Sequence, residues 1–502
     1  MDLQNDLFVS PDAKPRRFRD FHSGHVHEDV ETLLLEAALS RAKPGQKIHL
    51  AGGAYQQPQR ISLSATRDNP TEIVGQGGVL LDPGLPPATS KLGSMTPNEE
   101  DFAFFNIHDS DHLILSNLNF ANCWPSFIFL RNCRDITIQS VNGIGSQFVV
   151  FARTGRDEAS KNKETARIAL REVKWTQDPD GLMASGKVGW SDVKTYRSHS
   201  YFNGALFGSW DIAGEIEIDR CEVRDAFNGI RMDCHHENRL NTNSNVWVHD
   251  CKFIRIRDNA IEPEKHAFNW WIQSNYFETC HAPFSLHNLS GGWLYIFANE
   301  LRFDGKVPGD DHTGGKVFKF TSSRTYPTAP VYVFHNSASV RTPYAKKGQT
   351  RNLHHFNNAI EYDFDSDFID PHVGFFSKLS DSRVPYIRTQ PGKWFRWNDS
   401  YKFGGDVSNH PHFRDGFPEG WPMRVNGRHL ERVFGHSSRH GLYLDGAATD
   451  WIKAIPFTVD LPDGNRLNLS ANGVVGARTM SGAKYGQEEL TYRVVRDCRA
   501  IT

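Results

Sequence analysis

Cysteine is scarce in this chain. Seven occur in 502 residues, with no Cys-x-x-Cys pair, which supplies neither a disulfide framework nor a zinc-ribbon spacing. An excess of one charge is also lacking. Lys and Arg total 57 against 59 for Asp and Glu, so no global field draws the protein onto nucleic acid or an anionic membrane, and an anionic ligand must be held locally. No run of about 18 apolar residues exists to form a membrane span. Met1 to Ser10 lacks a basic stretch followed by an apolar one, so no secretory leader is read there. The compartment is left open: secreted or periplasmic if a leader has been removed, otherwise cytoplasmic. The sequence carries no HExxH motif and no glycine-rich nucleotide loop, which leaves zinc-peptidase and nucleotide chemistry without local support. His25-Val-His27 and His410-Pro-His412 are isolated pairs and read as structural.

What the chain does have is turns, short strands and a repeat. There are 41 Gly and 25 Pro, and aromatics make up 12%, a profile of all-β architecture. Residues 1–27 form a polar arm with basic Lys14, Arg16, Arg17 and Arg19. Val30, Leu33, Leu34, Ala37 and Ala38 then share one face of a predicted amphipathic helix ending before Pro44-Gly45. Short alternating runs follow, and the helix is expected to cap the open end of a strand stack.

From residue 103 onward a unit recurs: an aliphatic or aromatic pair two residues apart, a polar pair, a stacking position and a closing apolar residue. Its copies begin at Leu113, Ile136, Ile168, Ile216, Val246, Trp270, Leu294, Val331 and Leu353. The base spacing is 22 to 24, and the longest gap, 48, is expected to hide one further turn around Val188 to Tyr196. The stacking position holds Leu118, Val141, Val173, Cys221, Cys251, Asn275, Asn299, Asn336 and Asn358. Four successive Asn at one phase predict a buried amide ladder between coils. This period suits a parallel β-helix better than leucine-rich or helical repeats. The predicted organisation is the 1–27 arm, a β-helix with its cap over 28–365, and an extension over 366–502 that packs back along the solenoid.

Side chains alternate along a strand, and phasing the shorter third strands defines two outward columns. The first is Phe129, Phe151, Phe207, Arg231, Glu262, Ser285 and Lys319. The second is Arg131, Arg153, Ser209, Asp233, Glu264, His287 and Thr321. With coils about 4.8 Å apart, Arg231, Asp233, Glu262, Glu264 and His287 form a sugar-sized charged patch. Lys265, His266, Lys319, His235 and His236 continue it, and Phe129, Phe151 and Phe207 flank it as stacking surfaces for sugar rings. Arg131 and Arg153 complete the expected groove. β-Elimination of a uronic-acid polymer needs a cation to neutralise the carboxylate, a base for the C5 proton and an acid for the leaving O4. Lys, Arg and His can supply these parts. A hydrolase could instead use Asp233, Glu262 and Glu264, since stacked carboxylates suit the roughly 5 Å of a retaining site and a pair on one strand approaches the roughly 6.5 Å of an inverting one. A non-catalytic glycan-binding solenoid is the third reading. Gly309-Asp-Asp-His312 reads as a solvated loop turn.

Over about residues 30–365 the repeat resembles the right-handed parallel β-helix proteins of the pectin-lyase-like superfamily. Asp450 to Pro456 and Asn472 to Ala477 look like the closing segments of bacterial members. Ile261-Glu-Pro-Glu-Lys-His266, Asn275-Tyr-Phe277 and Phe284-Ser-Leu-His287 resemble the core of the chondroitinase-B-like alginate and dermatan lyases, polysaccharide lyase family 6. That resemblance implies an acidic polysaccharide substrate, Lys265 as catalytic base, and an acid at the place where His287 stands instead of the family's arginine. The chemistry requires no cofactor, but similar enzymes hold calcium with acidic residues beside the lysine, so Asp233, Asp258, Glu262 or Glu264 could be its ligands here. The monosaccharide and the oligomeric state are left open.

Overall fold

The computed structural model describes residues 6–19, 24, 26–87, 103–155, 164–195, 198–234, 242–303, 315–320, 329–340, 345–346, 353–362, 397–403, 434–438, 441–444 and 457–469. They divide into two units, Met1–Met232 and Asp233–Thr502. His235, His236, the Gly309 to His312 turn, Thr321, His25, His410 and His412 lie outside the described residues, as do Asp450 to Pro456 and Asn472 to Ala477.

Each unit is a stack of parallel β-helical coils. In the first, one turn of chain lays down Asp111–Ser116, Asn119–Ala121 and Ser126–Arg131, and the next lays down Arg134–Gln139, Asn142–Ile144 and Phe148–Arg153. Every strand pairs in parallel with its counterpart one coil on. The repeat register agrees residue for residue with the sequence phase: Leu113 faces Ile136, Ile136 faces Ile168, and Ile168 faces Ile216. In the second unit Val246 faces Trp270, Trp270 faces Leu294, Leu294 faces Val331, and Val331 faces Leu353. The reason is burial. All of these that have a described side chain are at most 1% exposed, and slipping one residue would turn the whole aliphatic set outward.

The corners are made by single residues in the left-handed region. Asn117, Ser140, Glu172 and Arg220 in the first unit, and Asp250, Ser274, Ala298 and His335 in the second, all have φ between 49° and 57°. Each immediately precedes a stacking position, so the corner and the stack are one device. In the second unit the stack is the predicted amide ladder. Asn299 Oδ1 accepts from Asn275 N and Nδ2 at 3.0 and 3.1 Å, Asn336 Oδ1 serves Asn299 in the same way at 3.0 and 3.0 Å, and Asn358 Oδ1 serves Asn336 at 2.9 and 2.9 Å.

Three expectations change. The helix spans Leu35–Arg41 and buries Leu35, Ala38 and Leu39. Val30 lies in the strand Val26–Val30 and Leu33 bridges in parallel to Val9, so the chain is extended where the helical face was expected to begin. The long gap holds no additional coil. Ile168 pairs directly with Ile216, and the excursion instead carries a short helix, Trp190–Lys194, whose Val193 packs with Trp124, Met183, Val188, Tyr201 and Phe202. The strand Leu7–Val9 pairs in parallel with Lys47–Leu50, inside what the sequence suggests is only a polar arm.

In the second unit Trp397–Phe403 pairs in parallel with Leu353–Tyr362. The antiparallel hairpin Phe457–Asp460 and Arg466–Leu469 sets Val459 and Leu461 against Trp271, Tyr295 and Tyr332. Tyr295 donates from its hydroxyl to Asp460 O at 2.7 Å, and Tyr332 to Asp460 Oδ2 at 3.2 Å. Among the described residues no helix is long and apolar enough to cross a membrane.

Candidate functional site

The candidate site belongs to the second unit, on three stacked strands: Asn259–Pro263, Ala282–Leu286 and Phe318–Phe320. Ile261 pairs with Phe284 and Phe284 with Phe318, all inward-facing. The alternate residues Glu262, Ser285 and Lys319 therefore make an outward column, as their phase predicts. Glu262 is nevertheless only 3% exposed. Its Oε1 accepts from Asn259 Nδ2 at 2.7 Å and from Ser285 Oγ at 3.2 Å, and Lys319 Nζ lies 3.6 Å away, an ion pair rather than a hydrogen bond. Burial opposes the charge on Lys319, but the fields of Glu262, Asp258 and Glu264 outweigh it and raise the ammonium's pKa above the ordinary lysine value. Asp258 is itself buried at the start of this coil.

Lys265 follows Pro263 and Glu264 at the corner between strands. Its φ is +68°, and His266 N donates to Glu264 O at 2.8 Å, closing a γ-turn around it. A non-glycine residue in this conformation costs on the order of 1–3 kcal/mol and persists only where its surroundings over-determine it. The side chain reaches Asp233, with Nζ 3.0 Å from Oδ1. Cys234 N also donates to that oxygen, at 2.7 Å. Burial disfavours the charged form of Lys265, yet the hydrogen bond and field of Asp233, supported by Glu264 and Cys234, lift its pKa above the usual value. An ammonium held in this way keeps its proton. It becomes a base only after losing the proton that Asp233 stabilises.

His287 stands in the turn directly after Leu286, half-buried. His266 is 8% exposed, and its Nδ1 lies 3.1 Å from Ser290 Oγ. The structure thus brings Asp233 and Glu264 to Lys265, and Glu262, Asp258 and Glu264 to Lys319, within the second unit, where His266 and His287 also lie. It adds Asn259, Cys234 and Ser290, which sequence reasoning missed. Ser290 had a usable signal, because it falls one base period after His266.

The four carboxylates that the resemblance offers as calcium ligands are dispersed over this face. Among the described residues, no three ligand atoms from Asp233, Asp258, Glu262 and Glu264 come within 4.8 Å of one another. Calcium takes six or more oxygens, whereas Asp233 Oδ1 and Glu262 Oε1 already face lysine ammoniums.

The remaining predicted residues belong to the first unit, and there the outward reading needs correction. Phe207 pairs with Val150, not Phe151, and is fully buried. The outward residues of its strand are Gly208 and Trp210, opposite Phe151 and Arg153. The run Ala205–Trp210 has apolar residues on both parities, so alternation did not determine its phase. Phe129 and Phe151 do share the outward column, but each is 1% exposed, with rings stacked 6.3 Å apart and packed with Phe148 and Trp210. They offer no open face to a sugar. Arg131 and Arg153 are register partners and half-buried. Arg231 donates from Nη1 to Asn203 Oδ1 at 3.2 Å.

No protein-family model matches the chain, and no curated protein matches it. Solved structures do resemble its fold. A mannuronic-acid-specific polysaccharide family 6 lyase from human gut microbiota is 11% identical, with 84% of this chain and 91% of that one covered and a TM-score of 0.41. A family 6 alginate lyase is 13% identical, covering 90% and 56%, with a TM-score of 0.42. The family 136 lacto-N-biosidase from Eubacterium ramulus is 10% identical, covering 79% and 67%, with a TM-score of 0.36. At these identities and scores the likeness is one of β-helical fold and assigns no activity, which leaves this chain a parallel β-helix protein in which Lys265 and Lys319 are each paired with a carboxylate.

Proposed function

We propose that this protein is a carbohydrate-active enzyme that cleaves a uronate-containing polysaccharide by β-elimination on the face carrying Lys265, His287 and Lys319. The observation that carries the reading is the pair of lysines, each kept protonated by its own carboxylate partners. Such a pair suits the recognition of an anionic sugar and the stabilisation of negative charge developing on its carboxylate.

The charge state of Lys265 favours a division of labour opposite to the one the sequence resemblance implies. Lys319 neutralises the substrate carboxylate. His287 removes the C5 proton, and the electrons of that C–H bond form the C4–C5 double bond as the C4–O4 bond breaks. Lys265 donates a proton to the departing O4. The hydrolase alternative loses one of its three carboxylates as a free reactant, since Glu262 is buried and engaged by Asn259, Ser285 and Lys319.

Incubation with alginate, pectate, glucuronan and glycosaminoglycans distinguishes the readings. New ultraviolet absorbance from an unsaturated uronate is the expected outcome. Reducing ends without that absorbance would establish hydrolysis, and glycan binding without either would establish the non-catalytic module.

A further inference from the structure

We infer that Ser290, backed by His266, is the positioning device that aims Lys265. Two peptide planes flank the lysine Cα, and both are pinned. The first carries Glu264 O, which accepts His266 N–H at 2.8 Å and lies 3.8 Å from Cys234 Sγ. The second carries Lys265 O, which accepts from Ser290 N at 2.8 Å and again from Ser290 Oγ at 2.6 Å. Fixing both planes fixes φ and ψ, and with them the direction of the Cα–Cβ bond from which the ammonium reaches Asp233.

The hydroxyl has one proton, and it is spent on Lys265 O. The contact between Ser290 Oγ and His266 Nδ1 at 3.1 Å must therefore run the other way, with Nδ1–H as donor. This sets the His266 tautomer and makes a chain: Nδ1–H to Oγ–H to the lysine carbonyl. His266 is held in turn by its strand pairing with Ser290 and by Asn243 Nδ2, which donates to its carbonyl at 3.3 Å. Ordinary sheet pairing needs only the Ser290 N–H. The hydroxyl is the additional element, and it acts on the one residue here that holds a γ-turn against its own preference.

The catalytic meaning of this device rests on the reading of Lys265 above, but its existence does not, and the experiment separates the two. Each lysine's rate of acylation by an amine-reactive reagent is measured by mass spectrometry on the intact folded protein, with exposed Lys252 as internal control. In Ser290→Ala, Lys265 is expected to react severalfold faster than in the wild type, while Lys252 is unchanged and Ser290→Thr behaves as wild type. His266→Asn, which keeps a donor near the Nδ1 position, is expected to stay near wild type, and His266→Phe to shift toward Ser290→Ala. A folded Ser290→Ala protein with unaltered Lys265 reactivity overturns the inference. If Ser290→Ala does not fold, His266→Phe decides by the same measurement. Where the wild type cleaves a uronate polymer, Ser290→Ala should lower kcat with little change in KM. Where it cleaves none, the proposed function fails while the reactivity result still judges Ser290.

Discussion

The two units build the same coil and fill it differently. At the stacking position the first unit uses Leu118, Val141, Val173 and Cys221, an apolar column of at most 1% exposure. The second begins with Cys251, whose N–H donates to Asn275 Oδ1, and continues with Asn275, Asn299, Asn336 and Asn358, each amide serving its neighbour. The outward column of the third strands differs in the same spirit: Phe129 stacks on Phe151 in the first unit, whereas Glu262, Ser285 and Lys319 form a polar chain in the second. Backbone register does not require either filling. An apolar stack tolerates truncation at the cost of a cavity, whereas an amide stack is satisfied only as a set, so polar specialisation of one unit comes with greater sensitivity to single changes.

The sharpest test removes the cation that distinguishes the second unit. Lys265→Ala should reduce uronate cleavage by about 10²–10⁴-fold, the usual contribution of a positioned proton donor, with an unchanged circular dichroism spectrum of the folded protein as control. Next in size, Phe207→Ala should destabilise the protein by about 3–5 kcal/mol, the cost of emptying a large core site, read from denaturant unfolding. A loss confined to glycan affinity would restore the binding role suggested by sequence. Asn299→Leu should cost about 1–3 kcal/mol for each buried group it orphans, among them Asn275 N and Ile272 O, while the volume-conserving Leu118→Met in the first unit should cost less than about 1.5 kcal/mol. Equal losses would erase the contrast between the stacks.

The smallest effect concerns pH. The folded pKa of Lys265 is raised, so its contribution to stability is fully present below the ordinary lysine pKa and is lost as pH rises through the folded value. Asp233→Asn removes the main partner and should move that loss, followed by residue-specific acylation across pH, to lower pH. An unmoved midpoint would mean that Asp233 does not hold the proton.

Much of this was legible in the sequence. The register of the coils, the amide ladder and the outward phase of Glu262, Ser285 and Lys319 all follow from a period-two pattern anchored by aliphatic pairs that have nowhere to go but inward. The pattern failed at Phe207, where residues of both parities are apolar, and in the excursion before Ala205, where Trp190–Lys194 coils locally and bears no phase. The charge state of Lys265 was hidden for another reason. Its main determinant, Asp233, comes from another turn of the chain, and the γ-turn that aims it leaves no compositional mark, because lysine is not a residue that prefers such a backbone.

The left-handed corners have a consequence for how such a chain can change. Ile168 and Ile216 are 48 positions apart and Leu294 and Val331 are 37 apart, yet each pair meets in register like those separated by 24. A corner set by one residue restarts the alignment at every turn, so an insertion is absorbed within the coil where it occurs and no length error passes to the next. Loops can be lengthened, shortened or exchanged beside the Lys265 face as independent parts, with the scaffold acting as a ruler that resets to zero once per turn.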